Sequence, residues 1–255
     1  FTYTADYGGY PYGRLSAVEI VSRVKHLVSV SQNQLDHGMI VVACNGGIQG
    51  KEMHEALPET ADEIADSVLG AYEAGASMVH VHARNPNNLP LGATTTEDWL
   101  NVNAKIRERC PDIIINNTTG GDAVMSMEER LMCLDAMPEI ASLNLTPDMS
   151  RFRIPARPEP LPFPRPETEY DMCLPFTYGQ IENFASEMKK RNIKPELEIY
   201  HPGGAWVIRD LLKEGLIDAP FLIQTVMGAQ TCSYPTPENT LQTVSYTHLT
   251  LPPKA

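Results

Sequence analysis

Six short runs rich in apolar and β-branched residues punctuate the chain, at 39–45 (MIVVACN), 78–84 (MVHVHAR), 113–119 (IIINNTT), 141–145 (ASLNL), 196–201 (ELEIYH) and 221–227 (FLIQTVM). Between them the apolar spacing lengthens to that of a helix. Ile64, Val68, Leu69 and Tyr72 make one stripe, and Ile181, Phe184, Ala185 and Met188 another, so each helix has one face to lay on a sheet. Thr60 with Glu63, Ser126 with Glu129 and Thr177 with Gln180 have the spacing of capping boxes, which satisfy the free N–H groups of a helix start. Gly75 and Gly215 mark helix ends. Alternating strands and helices predict parallel βα units. Six units without a break in composition predict a (βα)8 TIM barrel of the α/β class, with a doubly wound open sheet as the alternative. Cys44-Asn-Gly-Gly-Ile-Gln-Gly50 lacks the GxGxxG spacing, so nothing points to a dinucleotide fold.

Two segments break the rhythm. Seven prolines between 155 and 175 predict an extended loop after the fourth strand rather than a helix, either a surface insertion or a flap over the strand C-termini. Residues 1–38, a tyrosine-rich start followed by an amphipathic helix from Leu15 to Val30, read as an N-terminal extension to a barrel domain at 39–244. Residues 245–255 have no strand pattern and read as a tail. After the sixth strand only residues 228–255 remain, whereas a βα unit needs about 30 residues, so the barrel is expected to be truncated after about six units and inactive alone.

The 255 residues are 42% hydrophobic, enough for a sizeable core, and the net charge of −12 argues against a nucleic-acid face or a basic membrane patch. Small-molecule chemistry is favoured. Cys44, Cys110, Cys133, Cys173 and Cys232 are odd in number, widely spaced and without a CxxC pair, which fits a reducing cytoplasm rather than a disulfide framework. No run approaches 18 apolar residues.

The chemistry concentrates at strand ends. In Met78-Val-His-Val-His-Ala-Arg84, alternation sends His80, His82 and Arg84 to one face, which is half a metal site or a pair of histidines held by backbone carbonyls. Thr118-Thr119-Gly120-Gly121 is either a capped turn or a cradle for a carboxylate or oxyanion. Ser142 and Asn144 share a strand face, as do Glu196, Glu198 and Tyr200, and a carboxylate buried there needs a partner. His201 falls on the opposite side of its strand.

Taken in order, His80-Val-His82-Ala-Arg84, Asn117-Thr-Thr-Gly-Gly121, Pro138-Glu-Ile-Ala-Ser-Leu-Asn144, Pro195-Glu-Leu-Glu-Ile-Tyr200 and Ile223-Gln-Thr-Val-Met-Gly228 resemble the successive strand motifs of the beta-keto acid cleavage enzymes. The resemblance covers roughly residues 39–240. It implies a zinc-dependent (βα)8 barrel, expected to be a homo-oligomer, that reacts a β-keto acid with acetyl-CoA to give acetoacetate and a new CoA thioester. It implies His80 and His82 as zinc ligands, Thr118, Gly121 and Ser142 as contacts of the keto acid, and Glu198 as a catalytic carboxylate. The family's third zinc ligand, a glutamate of a Gly-Phe-Glu-Asp or Gly-Leu-Glu-Asp motif, is absent from this sequence and is expected beyond its end. Ile48 with Gln49 stands where the family example has a substrate-binding glutamate, which argues against an amino-substituted keto acid. A rival enzyme reading is an amidohydrolase-like metallohydrolase, which also uses HxH but needs a histidine on the sixth strand. A rival of another class is a binding fragment without turnover.

Overall fold

The computed structural model describes residues 39–249. Residues 1–38, expected as an N-terminal extension with a helix from Leu15 to Val30, and residues 250–255 of the expected tail lie outside the described residues.

Each predicted strand run overlaps a strand of one parallel sheet: β1 (Val41–Ala43), β2 (Met78–Val81), β5 (Ile114–Asn117), β6 (Ile140–Asn144), β9 (Lys194–Ile199) and β10 (Leu222–Thr225). Two short antiparallel pairs are added, β3 (Arg84–Asn85) with β4 (Asn88–Gly92) and β7 (Asp148–Ile154) with β8 (Thr168–Leu174). In the main sheet the spatial order β1-β2-β5-β6-β9-β10 follows the chain order without reversal. A doubly wound sheet reverses direction at a switch point. The monotonic order is that of a singly wound (βα) barrel, and the six strands form a curled part of one.

Helices α1 (Ala61–Ala74), α2 (Thr96–Arg109), α3 (Met127–Leu131), α4 (Tyr178–Lys190) and α5 (Gly204–Lys213) connect the strands, and α6 (Pro237–Leu249) follows β10, running into residues expected to be a tail. All three predicted capping boxes form, and Gly75 closes α1 in the left-handed region at φ 103°. The helix stripes bury Ile64 and Val68 on α1 and Ile181, Phe184 and Met188 on α4 in one core with Val79, Val81, Leu143, Leu197 and Ile199. Those strand residues face the helices. Their alternates, His80, Asn116, Ser142, Asn144, Glu196 and Glu198, are polar and face the other side of the sheet. A TIM-barrel interior is ordinarily filled with branched apolar side chains, so this polar face marks where the chemistry sits.

The segment expected to be an extended loop is instead a β-hairpin, with register from Asp148↔Leu174 to Ile154↔Thr168. Its prolines explain the misreading, because they crowd the tip between the arms while neither arm contains one.

Candidate functional site

The carboxyl ends of the strands, the loop after β1 and the β7–β8 hairpin enclose a cavity of about 370 Å³. His80, His82, Thr118, Gly121 and Glu198 all line it. The hairpin therefore roofs the strand ends, as a flap would.

At the floor, His80 Nε2 stands 3.3 Å from His82 Nε2. Two imidazole nitrogens at that separation need a proton or a metal ion between them. Burial, reinforced by the neighbouring His80 and Arg84, holds His82 well below the ordinary histidine range, so it is a neutral donor. Its Nδ1 is buried without a hydrogen-bond partner. Donor atoms of His80, Glu196 and Glu198 also lie within 4.8 Å of one another. These residues could hold a metal ion.

The strand register accounts for this gathering. His80 pairs with Asn116 across β2 and β5, and Ser142 and Asn144 pair with Glu196 and Glu198 across β6 and β9. Glu196 accepts a hydrogen bond from Asn116 Nδ2 at 2.6 Å and approaches His80 Nδ1 at 3.6 Å. It has the partners its burial requires. Glu198 accepts from the Tyr200 hydroxyl at 3.0 Å, which in turn accepts from Asn144 Nδ2 at 2.9 Å.

Ser142 is placed differently from the other predicted contacts. It is fully buried behind the cavity wall, where its Oγ accepts from the Thr119 N–H at 3.0 Å and lies 3.5 Å from Thr118 Oγ1. It braces the threonine turn, and it is not among the cavity-lining residues. Arg84 turns away from the imidazoles, and its Nη2 donates to the carbonyls of Gly46 and of Gln49, the latter at 2.6 Å. His201 does not line the cavity.

Sequence reasoning missed two groups. Asn45 Oδ1 accepts from the His82 N–H at 3.2 Å while its Nδ2 donates to the His82 carbonyl at 2.8 Å, fixing the backbone that carries the imidazole. Only its place between a strand and a glycine turn hinted at this. The second group is the buried ion cluster of Arg157 with Glu52 and Glu59, which ties the hairpin tip to the loop after β1. No local pattern signals it.

With this geometry in place, comparison with known proteins decides the family. Residues 38–255 match the model of the beta-keto acid cleavage enzyme family. The chain belongs to that family. Among its relatives, the 3-keto-5-aminohexanoate cleavage enzyme of Fusobacterium nucleatum is 31% identical over 192 residues, 75% of this chain and 63% of that protein. The enzyme of the same name from Acetoanaerobium sticklandii is 32% identical over 190 residues, 74% of this chain and 62% of that one. The 3,5-dioxohexanoate:acetyl-CoA acetone transferase of Paraburkholderia graminis is 29% identical over 205 residues, 74% of this chain and 63% of that protein. The chain thus spans somewhat under two thirds of the length of these curated relatives. Membership in the beta-keto acid cleavage family also displaces the amidohydrolase reading, and β10 (Leu222–Thr225) carries no histidine. No helix among the described residues is long and apolar enough to cross a membrane.

Proposed function

We propose that this site belongs to a zinc-dependent β-keto acid cleavage reaction, in which a β-keto acid and acetyl-CoA give acetoacetate and the acyl-CoA of the remaining fragment. The observation that carries the reading is the convergence of His80 and His82 at 3.3 Å on the floor of the cavity. Two nitrogens each about 2.0–2.1 Å from a tetrahedral zinc stand roughly 3.3 Å apart. When bound, zinc supplies Lewis-acid polarisation of the keto acid's carbonyl oxygens.

The chain's own residues do the rest. His80 and His82 are the ligands, and Glu196 fixes the orientation of the His80 ring from behind, as outer carboxylates do for metal-bound histidines. Thr118 and Gly121 hold the keto acid's carboxylate, with Ser142 positioning the Thr118–Thr119 turn. Glu198, held by Tyr200, moves the proton at the reacting carbon. The hairpin excludes water from the cavity. The setting is a cytoplasmic homo-oligomer.

The test supplies the purified protein with a panel of β-keto acids and acetyl-CoA, following acetoacetate and acyl-CoA by mass spectrometry and zinc by elemental analysis. Acetoacetate is expected only when both substrates are present. Equal zinc content in wild type and in the His80→Ala, His82→Ala double variant would remove the metal assignment. Binding of keto acid with no turnover would return the chain to the binding-only reading.

A further inference from the structure

The Thr118–Gly121 turn, which lines the cavity, has a cation behind it. Arg130, on the short helix α3, is 1% exposed and does not line the cavity itself. Its Nη2 donates to the carbonyls of Asp122 at 2.7 Å and Met125 at 3.2 Å, which braces the loop that follows the turn. Its Nε and Nη1 are buried without a hydrogen-bond partner. A Cβ on Gly121 would lie 2.8 Å from Nη1, so this unpartnered end of the guanidinium rests against the backbone of a cavity-lining residue. Gly121 also has a φ of 61°, and the absence of a side chain meets both demands.

The charge of Arg130 is not matched by an ion pair within the protein. Asp122 and Glu129 attract the guanidinium through space, but burial outweighs them and holds it below the ordinary arginine range. It stays charged at neutral pH all the same. Neither carboxylate pairs with it among the described residues: Asp122 accepts from the N–H groups of Gly92, Val124 and Met125, and Glu129 from that of Ser126. A buried cation in this state is costly until a counter-ion arrives. The cavity itself is lined by the carboxylates Asp122, Asp148 and Glu198 and by two guanidiniums, Arg151 and Arg153. Those two belong to the roof, where Asp171 and Glu169 pair with them. An anion seated on the Thr118–Gly121 turn therefore meets its nearest unmatched guanidinium on the far side of Gly121.

We infer that Arg130 is a positioning residue that charges the carboxylate seat through Gly121, so that the cavity favours an anionic keto compound over its neutral isostere; this rests on the keto-acid reading above. Thr118 and the turn supply the contacts, and Arg130 supplies the attraction. Because the guanidinium is fixed before the ligand enters, it acts as a preorganised charge in a setting with little water to screen it.

Acetoacetate and acetoacetamide, nearly the same in shape and different in charge, separate the possibilities. Their binding to the purified protein with zinc supplied is measured by calorimetry, with a thermal melt of each variant. Wild type is expected to bind acetoacetate at least about tenfold more tightly, the scale of one unit-charge attraction in a partly buried site. Arg130→Met is expected to lose most of that preference while its affinity for acetoacetamide stays within about twofold, and Arg130→Lys, which keeps the charge without the planar fork, to restore it. A folded Arg130→Met protein that keeps the preference, or that loses both ligands equally as a merely structural role requires, overturns the inference, as does a folded Arg130→Lys protein without the preference. Equal binding of the two by wild type overturns it and leaves the keto-acid reading standing. Binding of neither overturns both. A further measurement needs no variant to fold: the Arg130 guanidinium nitrogen resonances of wild type should shift with acetoacetate and not with acetoacetamide, and no shift, or an equal shift with both, overturns the inference.

Discussion

Replacing Arg157 by alanine removes the cation from a cluster with almost no contact with water. The Arg157 side chain is 0% exposed and those of Glu52 and Glu59 are 1% exposed. Its guanidinium donates to Glu59 through Nη1 and Nη2, each at 2.7 Å, to Glu52 at 2.6 Å and to the Pro162 carbonyl at 2.6 Å. After the change Glu52 keeps Arg165 at 2.7 Å, but Glu59 keeps only hydrogen bonding from the Lys51 N–H at 2.8 Å. Glu59 then loses its bidentate cation and keeps the weaker attraction of Arg84, which costs about 3–5 kcal/mol. At about 2–4 °C per kcal/mol for a chain of this size, the melting temperature should fall by roughly 6–20 °C. Arg151→Ala, which breaks only exposed pairs, should cost about 0–1 kcal/mol. The sign of the pH dependence adds a second arm. Burial pushes Glu59 up, but hydrogen bonds from Arg157 and the Lys51 N–H outweigh it and hold the carboxyl below its ordinary value. The wild type therefore has this contribution in full above the unfolded value of about 4.3, and loses it as pH falls through the lowered folded value. In Arg157→Ala burial dominates and raises Glu59, so the variant recovers stability as pH falls. The gap between the two proteins should narrow from pH 7 to pH 4. Melts of both proteins at several pH values decide the matter. A loss no larger than that of Arg151→Ala, or a gap that widens in acid, would refute the reasoning.

Three further outcomes follow from the same geometry. Burial raises the Glu63 carboxyl, but Lys51 and the N–H groups of Thr60 and Glu59 bring it down to about 2, so its contribution is present above about pH 4.3 and lost as pH falls toward 2; urea midpoints of Glu63→Gln should show a flatter acid limb. A Cβ on Gly47 would lie 2.1 Å from the Gly121 carbonyl oxygen, a backbone atom, so Gly47→Ala should force the two cavity loops apart and cost about 1–3 kcal/mol in denaturant titration. Asn45→Ala frees the His82 backbone and should weaken zinc binding by about 10–100-fold in a chelator competition, whereas unchanged affinity would show that the strand alone positions His82.

What could be read from the sequence is what repeats locally. Six strand runs, three capping boxes and the alternation of His80 with His82 each declare themselves within a few residues, and each forms. The partner that Glu196 must have was predictable in kind, but Asn116 lies 80 residues away and only the register of β5, β6 and β9 brings it there. Ser142 shows what a motif leaves unsaid, since its hydroxyl accepts from the Thr119 N–H behind the cavity wall, a contact that strand alternation alone does not specify.

The roof could be read as a flap, but its two strands could not, for a different reason. Its proline-rich tip masks two alternating arms, and its anchors are distant: Arg157 reaches Glu59 across 98 residues, and Gln230 brackets the Arg151 backbone across 79. Such contacts carry no local period, because they depend on the barrel first placing three loops at one end of the sheet. The proposed metal donors lie on or just beyond sheet strands whose register is fixed by burial on the helix side, whereas the residues of the roof stand on a hairpin held by a few polar anchors. Changes on the inner face of β7 and β8 should therefore alter which keto acid binds while leaving zinc content intact, and changes at His80 or His82 should do the reverse. A hairpin variant such as Phe152→Ala that lost zinc along with substrate preference would show that roof and floor form one cooperative unit, contrary to the separation argued from the register.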